Sequence, residues 1–152
     1  NCSLHRQIKM PSECIFCKIV EGEIPCYKIY ETEKAIAFLD INPVAKAHTL
    51  VIPKKHIERI ELCDDETLKE LMMVVKKVGT VIAKTYHSDF NLVLNNGESA
   101  GQLIKHLHFH IIPRVKGDEI TIDKQRTLEI DKKELEKIAK EMAEQIRRIF
   151  KE

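Results

Sequence analysis

Three histidines stand at alternate positions in His106-Leu107-His108-Phe109-His110-Ile111-Ile112. On an extended backbone, alternate side chains leave from one face. The imidazoles therefore form a row, while Leu107, Phe109 and Ile111, joined by Leu103, point the other way into a core. Neighbours in the row sit about 6.5 Å apart, a separation that can span a phosphate group or bring two rings toward one metal. A neutral imidazole is a good nucleophile near pH 7, and its phosphoramidate splits a hard displacement into two easier ones. Flanking rings, when protonated, offer charge-assisted hydrogen bonds to phosphoryl oxygens. The attacking nitrogen needs its lone pair, so the other ring nitrogen should donate to a backbone carbonyl or another fixed acceptor. A merely wet strand face would not need three histidines in five residues from a chain holding seven. A three-histidine metal site would want further ligands, and no carboxylate lies nearby in sequence. Replacing a histidine on such an open face is expected to leave folding intact, because little burial is at stake.

The second chemical feature is Cys14-Ile15-Phe16-Cys17. A two-residue gap lets both thiolates reach one tetrahedral ion, but a structural zinc needs two more ligands, for which His56 and His106 are available. A redox disulfide of the thioredoxin kind would want this motif opening a helix after a strand, and no strand precedes Cys14. Zinc is the favoured reading. The five cysteines are an odd number, and no export signal is evident, so disulfides are not expected and a cytoplasmic protein is.

The elements that must place these residues form an α+β pattern. Apolar runs at 27–31 and 35–41, separated by Thr32-Glu33-Lys34, suit a hairpin. Residues 48–53, 90–95 and 103–112 read as three further strands, the last carrying the histidines. Between the third and fourth lies a helix capped by Asp64 or Asp65, with Leu68, Leu71, Met72, Val75, Val78 and Ile82 at helical spacing. A second helix over 132–150 opens with Asp131 and Glu134 placed as a capping box. The hairpin-like connections imply an antiparallel sheet.

The stretch 106–112 resembles, position for position, the signature of the histidine triad family, in which histidines and apolar residues alternate. The likeness extends from about Cys14 to Gly117 and covers IFCKIVEGEIP, AFLDINPVAKAHTLVIPKKHI and NNGESAGQLIKHLHFHIIPR. It implies a five-stranded antiparallel sheet with one long helix packed on it, an additional C-terminal helix, and a homodimer whose two sheets join into one. The domain then spans residues 13–118, between a tail at 1–12 and a C-terminal extension at 119–152.

By the same resemblance His108 is the nucleophile toward the α-phosphorus, His110 contacts the phosphate, and His48 supports both. Asp40 accepts the ribose hydroxyls; the residues alone read equally as a strand-ending aspartate before the Asn42-Pro43 turn. Phe16, Ile24, Phe38 and Ile41 match the family's base pocket, though each could be simple core. The loop 95–102 has small residues that let its backbone approach a ligand, and the likeness puts Asn95, Gly101 and Gln102 at ribose or phosphate; Asn96-Gly97 is also a common turn. Leu103 departs from the serine that one branch of the family has there. Zinc-containing members resemble this chain in having CxxC near the start and histidines matching His56 and His106. The implied cofactor is a structural zinc at Cys14, Cys17, His56 and His106.

The resemblance implies a hydrolase or nucleotidyl transferase releasing a purine nucleotide such as AMP or GMP. Features of both the phosphoramidase and the dinucleoside polyphosphate hydrolase branches are present. The alternative is a non-catalytic, zinc-stabilised nucleotide-binding protein. Composition narrows the partners. A formal net charge of +1 with dispersed Lys and Arg gives no basic block for a nucleic-acid polymer. No run of about 18 apolar residues exists to span a membrane.

Overall fold

The computed structural model describes residues 13–121 and 127–152. The tail at 1–12 lies outside the described residues. The elements run α1 (Ile15–Val20), β1 (Lys28–Glu31), β2 (Ala35–Leu39), β3 (Thr49–Pro53), α2 (Asp65–Thr85), β4 (Asp89–Leu94), β5 (Phe109–Arg114) and α3 (Lys132–Phe150). The strands form one antiparallel sheet in the order β1-β2-β3-β5-β4. This is the α+β architecture expected.

Both long helices begin where their caps stand. Asp64 accepts the Thr67 N–H at 3.1 Å, and Asp131 accepts the Glu134 N–H at 2.8 Å, each satisfying a backbone donor that a helix start leaves over. The apolar stripe of α2, including Leu71, Val75, Val78 and Ile82, is buried against Val51, Leu107, Phe109 and Ile111 of the sheet side. Leu135, Ile138, Met142 and Ile146 bring α3 into the same core. Truncating one of these fully buried side chains to Ala costs about 2–5 kcal/mol. The apolar face of α2 is core. Among the described residues no helix is long and apolar enough to cross a membrane.

The opposite face of the sheet carries a smaller cluster of Phe16, Ile36, Phe38, Leu50 and Ile52. Register puts the chemistry there. Phe38 pairs with Leu50 and Leu50 with His110, so all three project from the side away from the long helices.

Two expectations for the last strand need correction. The last strand does not span 103–112; it starts at Phe109, and 103–108 is irregular. β3 ends at Pro53, and the 103–108 backbone bonds elsewhere, with Leu107 N–H donating to the Ile57 carbonyl at 2.6 Å. Leu103 accordingly does not join the core and is 83% exposed. The CxxC motif also opens a short helix, α1, with Cys14 as its N-cap. Six residues with no long periodic stripe leave little signal for it.

Candidate active site and metal centre

His106, His108 and His110 do line one side of the sheet, but they serve two different clusters. The His106 Nε2–H donates to the Pro53 carbonyl at 2.8 Å. Its Nδ1 lone pair therefore faces Cys14 Sγ at 3.4 Å and Cys17 Sγ at 3.6 Å. His56 Nδ1 lies 3.2 Å from Cys17 Sγ. The ligand atoms of Cys14, Cys17, His56 and His106 all fall within 4.8 Å of one another. Burial, then the neighbouring Cys14, push the Cys17 thiol up to about 12. Burial first of all pulls the His106 ring down to about 4. Two sulfurs, that of Cys17 buried, facing two ring nitrogens make a donor set that fits a soft tetrahedral cation. The Pro53 carbonyl fixes the orientation of the His106 ring, as carbonyls do behind metal-binding histidines.

His108 keeps one ring nitrogen without a hydrogen-bond partner among the described residues. Its Nδ1–H donates to the His106 carbonyl at 2.7 Å, which leaves the Nε2 lone pair free. No described residue bonds that nitrogen. The ring lines a cavity of about 240 Å³. It is not surface-facing, as the strand pattern implied, but only 6% exposed. Phe16 covers it edge-on at 5.1 Å between centroids. Burial also lowers its pKa, keeping it neutral.

The third histidine belongs to a relay. The Val44 N–H donates to His48 Nδ1 at 3.1 Å. Neutral His48 must then carry its proton on Nε2, which lies 3.0 Å from His110 Nδ1. His110 in turn holds its proton on Nε2, available as a donor. Burial, then the His108 and His48 rings, hold His110 down to about 3; burial, opposed by Asp40, lowers His48. Asp40 Oδ2 stands 3.6 Å from His48 Nε2, and Oδ1 accepts the Asn42 N–H at 2.8 Å. Asp40 directly follows β2 and lines the cavity.

Phe16, Ile24, Phe38, Ile41, Asn95, Gly101, His48 and His110 all line the same cavity. Gln102 does not. Its Oε1 accepts the Gly97 N–H at 2.7 Å, and its Nε2 donates to the Glu58 and Ile104 carbonyls. Its amide is spent on holding the loop 95–102 in place. Asn96 does similar work, accepting the Ile60 N–H at 2.8 Å. Gly97 is needed there because its φ is +101°, a backbone conformation that L side chains rarely adopt. The residues that a reading of side chains missed, Val44 and Pro53, act through the backbone. A larger hollow of about 580 Å³ beside Tyr86 and Ile120 contains none of the histidines.

A family model described as HIT domain matches residues 21–117. The chain belongs to the HIT domain family. An HIT-like protein of Methanocaldococcus jannaschii is 53% identical over 105 residues, covering 69% of this chain and 81% of that protein. The adenosine 5'-monophosphoramidase of Schizosaccharomyces pombe is 48% identical over 101 residues, 66% of this chain and 74% of its own. Among solved HIT structures, a histidine triad nucleotide-binding protein from Sulfolobus tokodaii aligns with a TM-score of 0.80 at 44% identity, covering 90% of this chain and 93% of the other. A zinc-bound histidine triad protein from Mycobacterium smegmatis aligns with a TM-score of 0.80 at 30% identity, covering 91% and 96%.

Proposed function

We propose that the chain is a nucleotide hydrolase or nucleotidyl transferase that works through a covalent nucleotidyl-His108, with zinc held by Cys14, Cys17, His56 and His106. The observation that carries the reading is the hydrogen bond from His108 Nδ1–H to the His106 carbonyl, because it points a lone pair into the cavity. A purine nucleotide such as AMP or GMP would lay its base against Phe16, Ile24, Phe38 and Ile41, with its ribose near Asp40 and its α-phosphate at His108. Nε2 forms a bond to phosphorus as the bond to the leaving group breaks, the pair of electrons departing with that group. Positive charge grows on the ring, and the His106 carbonyl stabilises it through the Nδ1–H. The His110 Nε2–H donates to a phosphoryl oxygen, oriented by His48. Water then attacks the same phosphorus and releases the nucleoside monophosphate.

The S. pombe relative's activity and the zinc in the M. smegmatis structure support this reading. Zinc would tie α1 to the sheet side and fix His106. The homodimer would form at β4, which is an edge of the sheet and exposes Phe90 and Leu92. Unpaired edges with exposed apolar side chains invite a partner strand. Sedimentation of a Leu92→Lys variant should show a shift to monomer.

The decisive experiment is to incubate the protein with adenosine 5'-phosphoramidate or a diadenosine polyphosphate and identify AMP, in parallel with His108→Ala. Release of AMP by the wild type alone supports the mechanism. Equal release by both would leave a nucleotide-binding protein without the proposed nucleophile.

A further inference from the structure

The nucleophile sits just outside the sheet. β5 begins at Phe109, so His106 and His108 precede the strand's regular pairing. Their stretch is held by the Leu107 N–H to Ile57 bond, the His106 ring on the Pro53 carbonyl, and the facing cysteine cluster. His106 thus presents its ring to the sulfurs and its carbonyl to the nucleophile, 2.7 Å from His108 Nδ1. Phe16 makes a second link. It lies between the two cysteines in sequence and packs edge-on against His106 at 5.8 Å and His108 at 5.1 Å. Access is available too. A hollow of about 460 Å³ is lined by Cys14 and His56 and shares Ile15, Leu103 and Ile104 with the nucleotide cavity. Cys14 is partly exposed, while Cys17 is buried.

We infer that Cys14 and Cys17 are a site of oxidative modification that controls the nucleophile: a peroxide joins them as a disulfide, the metal leaves, and the His106 carbonyl loses its fixed position under His108. The inference rests on the zinc and nucleophile reading above. The more accessible Cys14 thiolate attacks one peroxide oxygen, the O–O bond breaks, and a sulfenic acid and hydroxide form. The Cys17 thiolate then attacks that sulfur, forming the S–S bond and expelling a second hydroxide. The sulfur pair loses two electrons, one peroxide gains them, and both hydroxides take protons from solvent. An S–S bond of about 2.05 Å is far shorter than the separation of two sulfurs on a tetrahedral zinc, each about 2.3 Å from the ion. The disulfide therefore closes within the first turn of α1, across Phe16, and leaves only His56 and His106 for the ion. Both supports of His108 change together.

The test treats zinc-loaded protein with hydrogen peroxide and follows zinc release with a chromogenic chelator, cross-links by peptide mapping, and AMP release from adenosine 5'-phosphoramidate. About one equivalent of zinc should leave as a Cys14–Cys17 peptide appears. The kcat should fall by about tenfold or more, with AMP affinity changed much less, and dithiothreitol with zinc should restore it. The Cys26→Ser/Cys63→Ser variant should show the same fold-loss. Zinc retained under peroxide, zinc lost without that cross-link, or a cross-link with kcat unchanged would each overturn the inference. Protein that holds no zinc or releases no AMP before oxidation overturns the underlying reading, and the inference with it.

Discussion

The Cys14/Cys17/His56/His106 group and the Asp40/His48/His110 group are both compact enough to hold a metal ion. Their backbone surroundings separate them. In the first, a carbonyl takes the His106 Nε2–H and turns a lone pair toward the sulfurs. In the second, the Val44 N–H occupies His48 Nδ1 and turns the proton on Nε2 toward His110. A metal at that Nε2 would need either an imidazolate or a broken hydrogen bond to Val44. An imidazole becomes a ligand or a proton relay according to the backbone group on its other nitrogen. His108, with a carbonyl behind it but no sulfur in front, is oriented like a ligand and keeps its lone pair free for the proposed attack.

The largest effect expected is on the ring with the free lone pair. His108→Ala should lower AMP release by about 10⁴-fold, since a covalent route loses its attacking atom. It should also cost about 1–2 kcal/mol in urea unfolding, because a buried ring is removed and the His106 carbonyl loses its donor. A loss of activity smaller than tenfold would break the assignment of a nucleophile. Next come the ligands. Metal analysis should find about one zinc per chain in the wild type and in His48→Ala, and well under one in Cys17→Ala or His106→Ala. Equal zinc loss in His48→Ala would merge the two clusters into one.

Which parts of this contrast were legible in sequence follows from what a pattern of side chains can carry. The period of α2 and α3, their capping aspartates and the buried alternation of Leu107, Phe109 and Ile111 were all readable, because each is a repeat in residue type. The four proposed zinc ligands and the three histidines were identifiable by type and spacing. The irregular 103–108 stretch was not, since it depends on a backbone bond between Leu107 and Ile57. Nor could the sequence show that Gln102 turns inward, because an amide suits a phosphate and a carbonyl equally well. The tautomers of His48 and His110 depend on Val44, a residue whose side chain says nothing about its N–H.

The His48–His110 pair should also leave a mark on stability against pH. His48 is buried and His110 half-buried, and both are held neutral, His48 below its ordinary value and His110 down to about 3. Unfolded histidines take up protons near 6.5. As pH falls from about 6.5 toward 3, the unfolded chain binds protons that the folded one refuses, so stability declines across that window. Urea midpoints for wild type and His110→Ala should converge on acidification. A constant gap between them from pH 7 to 4 would mean that His110 is not held neutral by the fold. His48→Ala should meanwhile reduce AMP release by about 10²-fold, with loss of the donor that sets the His110 tautomer.

The smallest effect belongs to Asp40, and it is the finest probe of the relay. Its Oδ2 lies 3.6 Å from His48 Nε2, too far for a good hydrogen bond. Because Val44 already fixes the His48 tautomer, the carboxylate is not needed to do so. Asp40→Asn keeps an oxygen for the Asn42 N–H and removes only charge. If Asp40 works mainly on the ribose, KM should rise a few-fold with kcat within about threefold of wild type, a loss of roughly 1 kcal/mol in binding. A fall in kcat as large as that of His48→Ala would instead make the carboxylate part of the proton relay. Zinc content should stay unchanged in either case.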